Sequence, residues 1–284
     1  MPSPPGGGRA AANVARILDQ AGIPYALWGW LALAILARDR ECRDIDFIIP
    51  DALINSAVDK LNASGLFGRV CTSEDCPELR EDRVPANHLD HWKDLPQEQR
   101  LLTPAHAADI TSFDRYHPVA DAHFHIQPRY GGYSILALHK QSYILASWND
   151  LDLGASNPNI IMVTTDPRLT QEYRRSGPWT DLSLPIKVLT PWACVEALML
   201  LLCRDFDHYL GLSDCWELML GTLVHADADI KGRLSAEFVD PWEGLMERRF
   251  PDEGCWDAFE KLQERLIREH RVTDFPPKDP YRWL

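Results

Sequence analysis

Two neighbouring segments set the fold: LWGWLALAILAR over residues 27–38 and RDIDF over residues 43–47. The apolar residues before Gly29 predict a short buried strand. A helix is predicted to begin at once, over residues 30–38, and Ile45 to Ile49 predicts a second strand that is closed by a proline. A strand, a tight turn, a helix and a second strand are therefore expected in succession.

The turn at Gly29 has the features of a phosphate-binding site. A glycine between strand and helix allows close approach of another group to the backbone. The first amides of the new helix, which begins at Trp30, can hold phosphate. Arg40 and Arg43 flank the helix on its other side and could neutralise phosphate charge. We expect these four residues to bind a nucleotide.

Asp44 and Asp46 form the expected metal site. They are two residues apart on the second strand, so their carboxylates point to the same face of the sheet. Two converging carboxylates suit a hard cation such as Mg²⁺ that carries a nucleoside triphosphate. An isolated Asp-x-Asp occurs at many solvated strand ends and does not by itself indicate a metal site. Here the glycine turn that precedes it makes the pattern more specific for such a site.

These residues give the chain a resemblance to the nucleotidyltransferase superfamily, the DNA polymerase beta-like fold. It is most similar to the lincosamide and aminoglycoside nucleotidyltransferases, which carry a Gly-Trp at the turn, as Gly29-Trp30 does here. The resemblance covers Leu27 to Ile49 and extends weakly to His123–Pro128 and Ile186–Leu200. It implies an α+β fold in which a mixed sheet is flanked by helices.

The resemblance also implies a reaction: magnesium-dependent transfer of a nucleotidyl group to a hydroxyl of a small molecule. The expected donor is ATP, so the group is adenylyl. Asp44 and Asp46 would hold the metal, and Gly29 with the backbone after it would cradle the β- and γ-phosphates. Arg43 would assist electrostatically, since such catalysis depends mainly on positioning and charge stabilisation.

The sequence departs from the family at the third carboxylate, which a later strand commonly supplies. When the sequence is aligned with the family, His125 falls at the position of this third carboxylate. Asp121 and His123 would lie on the same face of the strand as His125 if the strand starts early enough. Asp121 or Glu196 would then activate the acceptor hydroxyl. Glu196 lies in an apolar helix, where it is either a general base with a raised pKa or a hydrogen-bonded structural residue.

Two alternative functions follow from that departure. The chain could be a nucleotidyltransferase-like scaffold that has lost the reaction and binds a small molecule. It could instead perform histidine and carboxylate acid–base chemistry through His123 and His125. A regulatory partner protein is a third hypothesis. The apolar C-terminal half favours it less, because that half suggests an enclosed pocket.

The organisation of the whole chain follows from periodicity. Residues 1–8 are expected to be a flexible lead-in, 9–189 an α/β core, and 190–284 a helical C-terminal region. Further strands are predicted at residues 67–71, 123–127 and 159–164. The stretch 72–117 lacks periodicity and is rich in proline, so we expect an insertion that covers the site or is poorly ordered.

Composition narrows the classes of partner and location. The formal net charge of -13 disfavours nucleic acid and anionic lipid as partners, and no apolar run reaches membrane-spanning length. We therefore expect a cytoplasmic protein with a small-molecule substrate. Of the seven cysteines, Cys71 and Cys76 are the only close pair, and no second pair completes a zinc site along the sequence. Reduced thiols are the expectation.

Overall fold

A six-stranded mixed sheet is the central element of the computed structural model. The strands are β1 (Ala26–Trp28), β2 (Ile45–Ile49), β3 (Ala122–Ile126), β4 (Ser134–Lys140), β5 (Ile161–Val163) and β6 (Lys187–Leu189). Their spatial order is β3-β4-β2-β1-β6-β5. β1 pairs antiparallel with β2 and parallel with β6, and β2 pairs parallel with β4. The outer strands β3 and β5 run antiparallel to their neighbours, so the sheet is mixed, as the sequence predicted.

The structure describes most, but not all, of the chain. The described residues are 7–37, 44–74, 76–79, 117–126, 134–145, 148, 153–154, 157–169, 185–205, 212–224, 226, 229–246 and 254–272. Arg40, Arg43 and most of the predicted insertion 72–117 lie outside these ranges, as do residues 1–6.

Eight α-helices accompany the sheet within these ranges. They are α1 (Gly8–Gln20), α2 (Gly29–Leu36), α3 (Ile54–Ser64), α4 (Gln141–Ile144), α5 (Pro191–Asp205), α6 (Leu212–Leu223), α7 (Ala236–Met246) and α8 (Gly254–Arg268). α2 contacts β1, β2 and α6. A helix enclosed on several sides must be apolar around its whole circumference, which explains the uninterrupted LALAIL sequence after Trp30. The class is therefore α+β.

The strand–turn–helix–strand order predicted for residues 25–49 is confirmed. β1 ends at Trp28, and α2 starts at the next residue. In the antiparallel pair, Leu27 lies opposite Phe47, and Trp28 lies opposite Asp46. Leu27 and Phe47 are fully buried, so the register is fixed by apolar packing between the two strands.

Strand β4 was not predicted from the sequence, although it lies directly beside β2. Its residues from Ile135 to His139 are all buried. A strand covered on both faces has no polar alternation, so period-two patterning gives no signal for it. Conversely, the strand predicted at residues 67–71 is reduced to one isolated bridge, between Val70 and Phe124 on β3.

Helix α5 begins at Pro191, directly after Thr190. The Thr190 hydroxyl oxygen accepts a hydrogen bond from the amide of Ala193 at 3.4 Å, and thus caps the first turn. At the far end of α5, the Asp205 carboxylate accepts hydrogen bonds from Arg204 and from the Trp216 indole on α6, each at 2.7 Å. This buried network ties α5 to α6.

Within the described ranges, no helix combines the length and the apolar character needed to cross a bilayer.

Candidate metal-binding sites on one face of the sheet

The Gly29 turn and the Asp46 carboxylate are in direct contact. Gly29 has a φ of 70°, in the left-handed region that favours glycine. A Cβ atom at this position would lie 2.3 Å from Asp46 Oδ2, which is far inside van der Waals contact. The absence of a side chain at Gly29 therefore leaves the space that the Asp46 carboxylate occupies at the start of α2. The sequence predicted that another group would approach the backbone closely at this turn, and in the structure that group is the Asp46 carboxylate.

Asp44 directly precedes β2 and Asp46 lies on it, so the convergence of their carboxylates stays a prediction from their spacing. Both side chains are partly exposed. Asp44 Oδ1 accepts a hydrogen bond from the backbone amide of Ile135 on β4 at 3.3 Å. Asp44 thus contacts β4, whereas Asp46 contacts the Gly29 turn.

His139 on β4 fixes the orientation of Asp46. Its Nε2 lies 3.1 Å from Asp46 Oδ1, and the imidazole is almost completely buried. An N–H at Nε2 therefore donates to one carboxylate oxygen, while the other oxygen faces Gly29. Sequence reasoning missed His139 because β4 itself was not recognised.

The strand beside β2 supplies no third carboxylate. Within the described strand β4, the residues that share a face with Asp46 are Ile135, Ala137 and His139. Asp121 is engaged elsewhere: its Oδ1 lies 2.7 Å from Lys140 Nζ, and its Oδ2 accepts from the Lys140 amide. Lys140 is three residues beyond the level of Asp46, or about 10 Å along the strand. The structure does not bring Asp121 to Asp44 and Asp46.

Glu196 is held by the start of another helix. Its Oε1 accepts a hydrogen bond from the amide of Ser235, the residue before α7, at 2.6 Å. The side chain is 7% exposed, and burial raises its pKa above the usual range of a glutamate. Of the two readings that the sequence left open, this geometry favours the structural one, since a carboxylate is a good partner for the free amides of a helix N-terminus.

His125 faces a different cluster from the one predicted. It lies on β3, which β4 separates from β2. Its Nε2 lies 3.4 Å from Cys76 Sγ, and His123 Nε2 lies 3.2 Å from the same sulfur. Cys71 completes the group, and the four ligand atoms all lie within 4.8 Å of one another. This Cys71–Cys76–His123–His125 group is called the Cys/His cluster below.

Local backbone contacts assemble the Cys/His cluster. His123 and His125 alternate with Phe124 on β3, so both imidazoles point to the same face. The amide of Cys71 donates to the carbonyl of His123 at 2.8 Å, which extends the pairing of Val70 with Phe124. The chain then turns, with the Cys76 amide bound to Ser73, and returns the second thiol to the same place.

Burial keeps both histidines of the cluster neutral. It lowers the pKa of His123 to about 4, with a further contribution from the neighbouring His125, whose own pKa burial also lowers. Burial raises the pKa of the Cys76 thiol to about 11. At neutral pH the imidazoles are therefore uncharged and can each offer a nitrogen lone pair to a cation, and the Cys76 thiol is protonated unless a cation takes the place of its proton.

The two candidate sites share one face of the sheet. Asp46 lies opposite Ala137 on β4, and Ala137 lies opposite His123 on β3, so the three residues form one row across the strands. The backbone of Asp46 and that of His123 are thus separated by two strand spacings, or about 10 Å. The oxygen ligands and the Cys/His cluster are neighbouring but separate groups.

The other nucleotide-binding candidates are only partly described. Trp30 lies in the first turn of α2 and is half-buried, whereas Arg40 and Arg43 lie outside the described residues. No protein-family model matches the chain, and a search of curated proteins finds no match.

Proposed function

We propose that the chain binds a nucleoside triphosphate with Mg²⁺ and transfers its nucleotidyl group to a hydroxyl of a small molecule. One observation carries the proposal. The Asp46 carboxylate packs against Gly29 at the start of α2, and Asp44 lies two residues before it in the chain. Asp46 thus provides one oxygen ligand at a helix N-terminus, and together with Asp44 it would favour a cation and a phosphate group.

The start of α2 supports phosphate binding. Trp28 is the N-cap residue, and an indole has no acceptor for the amides of the first turn. A phosphate group would accept hydrogen bonds from those amides and interact favourably with the helix dipole. The carboxylates of Asp44 and Asp46 would repel the same phosphate, so binding requires a cation between them. Mg²⁺, when bound, would supply that charge neutralisation.

His139 supports the metal side of the proposal as a positioning residue. It occupies Asp46 Oδ1, and so leaves Oδ2 as the ligand oxygen at the Gly29 turn. A hydrogen bond from outside the coordination sphere orients a ligating carboxylate and commonly changes metal affinity 10–100-fold. The buried imidazole is thus expected to set the geometry of the site without contacting the substrate.

The transfer step makes a further demand on the protein. The acceptor oxygen forms a bond to the α-phosphorus, the bond to the bridging oxygen breaks, and pyrophosphate leaves. The hydroxyl proton must pass to a base. Asp121 is paired with Lys140, and Glu196 is bound to Ser235, so neither is poised for this role in the structure. The geometry thus supports binding more directly than transfer, and a scaffold without the reaction is the second candidate.

Thermal unfolding with Mg²⁺ and ATP tests the binding. A ligand at about 100 times its dissociation constant raises the free energy of unfolding by about 2.7 kcal/mol. For a chain of this size we expect Tm to rise by roughly 5 °C. Asp44→Asn should abolish most of the rise, because it removes charge while the amide oxygen still accepts from Ile135.

Asp51→Asn is the matched control. Asp51 follows the other end of β2, where it binds Ser142, and the substitution should leave the rise intact. An equal rise in wild type and Asp44→Asn, or no rise in wild type, would contradict the proposal. Pyrophosphate release in the presence of small hydroxylated acceptors then separates the two candidates: the transferase releases it, whereas the scaffold binds the triphosphate without release.

A further inference from the structure

We infer that the Cys/His cluster is a structural zinc site, independent of any nucleotide. The cluster contains two thiols and two imidazoles, and the four ligand atoms lie within 4.8 Å of one another. Two cysteines and two histidines are a common ligand set of structural zinc, which takes four such ligands in a tetrahedron.

The distances fit a shared cation. With Zn–S near 2.3 Å and Zn–N near 2.0–2.1 Å, a tetrahedral ion would separate a sulfur and a nitrogen ligand by about 3.5 Å. The Cys76 sulfur lies 3.2 Å from His123 Nε2 and 3.4 Å from His125 Nε2. These two separations are therefore already close to those that the ion requires, and the remaining ligand atoms lie within 4.8 Å of one another.

The chemistry of the ligands selects the metal. Thiolate and imidazole are soft and borderline ligands that favour Zn²⁺, whereas Mg²⁺ and Ca²⁺ favour oxygen. The neighbouring pair Asp44 and Asp46 has the opposite preference. Four protein ligands also fill the tetrahedron and leave no open position for water or substrate, which is the arrangement of structural rather than catalytic zinc.

The position of the cluster indicates what the ion would stabilise. β3 is an edge strand, and the segment from Cys71 to Cys76 joins it through the bridge at Val70 and one amide of Cys71. Zinc would cross-link this segment to β3 at two further points. His125 is exposed and Cys71 is partly exposed, so the ion has a route in from solvent. The zinc site would thus attach the chain to the edge of the sheet directly before residues 76–79.

Zinc titration of the full chain, stripped of metal by a chelator and kept reduced, tests the inference. We expect one equivalent of Zn²⁺ to bind and to raise Tm. His125→Ala removes an exposed ligand and should weaken binding by more than the 10–100-fold that loss of a group outside the coordination sphere costs. His125→Cys keeps four ligands and should restore binding, so the pair separates loss of a ligand from failure to fold.

Cobalt gives an independent readout of the ligand set. Co²⁺ bound in place of zinc should show the visible bands of a tetrahedral ion and thiolate charge-transfer absorption, which should increase in His125→Cys. Cys194→Ala removes a buried thiol outside the cluster and should leave the stoichiometry at one. Wild-type protein that binds no stoichiometric zinc, or equal affinity in wild type and His125→Ala, overturns the inference. So does a Cys71–Cys76 disulfide whose reduction creates no zinc site.

Discussion

Replacing Gly29 with alanine perturbs the contact on which the proposed nucleotide site rests. Two costs are expected. A side chain at a φ of 70° costs about 1–2 kcal/mol, because the left-handed conformation brings Cβ too close to the backbone. The new methyl group would also lie 2.3 Å from Asp46 Oδ2, so the carboxylate must move by about 1 Å to restore van der Waals contact.

That movement breaks the hydrogen bond from His139 to Asp46, which is now 3.1 Å long. A hydrogen bond to a charged group contributes about 1.5–3 kcal/mol, and the loss leaves a buried imidazole without this partner. We therefore expect Gly29→Ala to lower the free energy of unfolding by roughly 2.5–5 kcal/mol. It should also abolish the Tm rise that Mg²⁺ and ATP produce.

Gly22→Ala is the matched control. Gly22 has a φ of 66°, but a Cβ atom there would have no neighbour within 4 Å, so only the backbone cost of about 1–2 kcal/mol remains. Urea unfolding of both variants measures the difference. In an Asp46→Ala background the cost of Gly29→Ala should fall to the Gly22 value, since the clashing oxygen is gone. Equal costs for Gly29→Ala and Gly22→Ala in the wild-type background would refute the reasoning.

Two further predictions concern the helical region. Burial raises the pKa of Glu196, so above pH ~4.5 the folded chain binds more protons than the unfolded chain, and its stability falls as pH rises through the folded pKa. Glu196→Gln should flatten this fall in urea unfolding between pH 4.5 and 8; an unchanged slope contradicts it. Thr190→Ala removes the cap of α5 and should cost about 1 kcal/mol, whereas Thr190→Ser retains the hydroxyl and most of the stability. Equal losses in both variants would exclude a capping role.

The turn at Gly29 was predictable because all of its signals are local. A glycine between an apolar strand and an apolar helix, followed by two alternating aspartates, specifies the elements and the strand that carries Asp46. The partner of Asp46 was not predictable in this way. His139 belongs to a strand buried on both faces, and nothing in the sequence from Ile135 to Lys140 distinguishes such a strand from a short buried helix.

The Cys/His cluster shows a different limit of sequence reasoning. Cys71 and Cys76 form one pair, and His123 and His125 form another, but the pairs are far apart in the chain. They meet because the residues around Val70 pair with β3. Zinc sites are recognised in sequence when all four ligands keep short spacings, so a pairing made through the sheet is invisible there. His125 was assigned to the wrong partner for the same reason, since β4 had not been placed between β3 and β2.

One contact described by the structure bears on how freely the chain can vary in length. Glu78 Oε2 and His117 Nε2 lie 3.8 Å apart, so two positions that are distant in the sequence lie side by side. The entropic cost of bringing two positions of a chain together grows only with the logarithm of the number of residues between them, and a doubling costs about 0.6 kcal/mol. Because this cost rises so slowly, we expect residues inserted between these two positions to lower the free energy of unfolding only slightly.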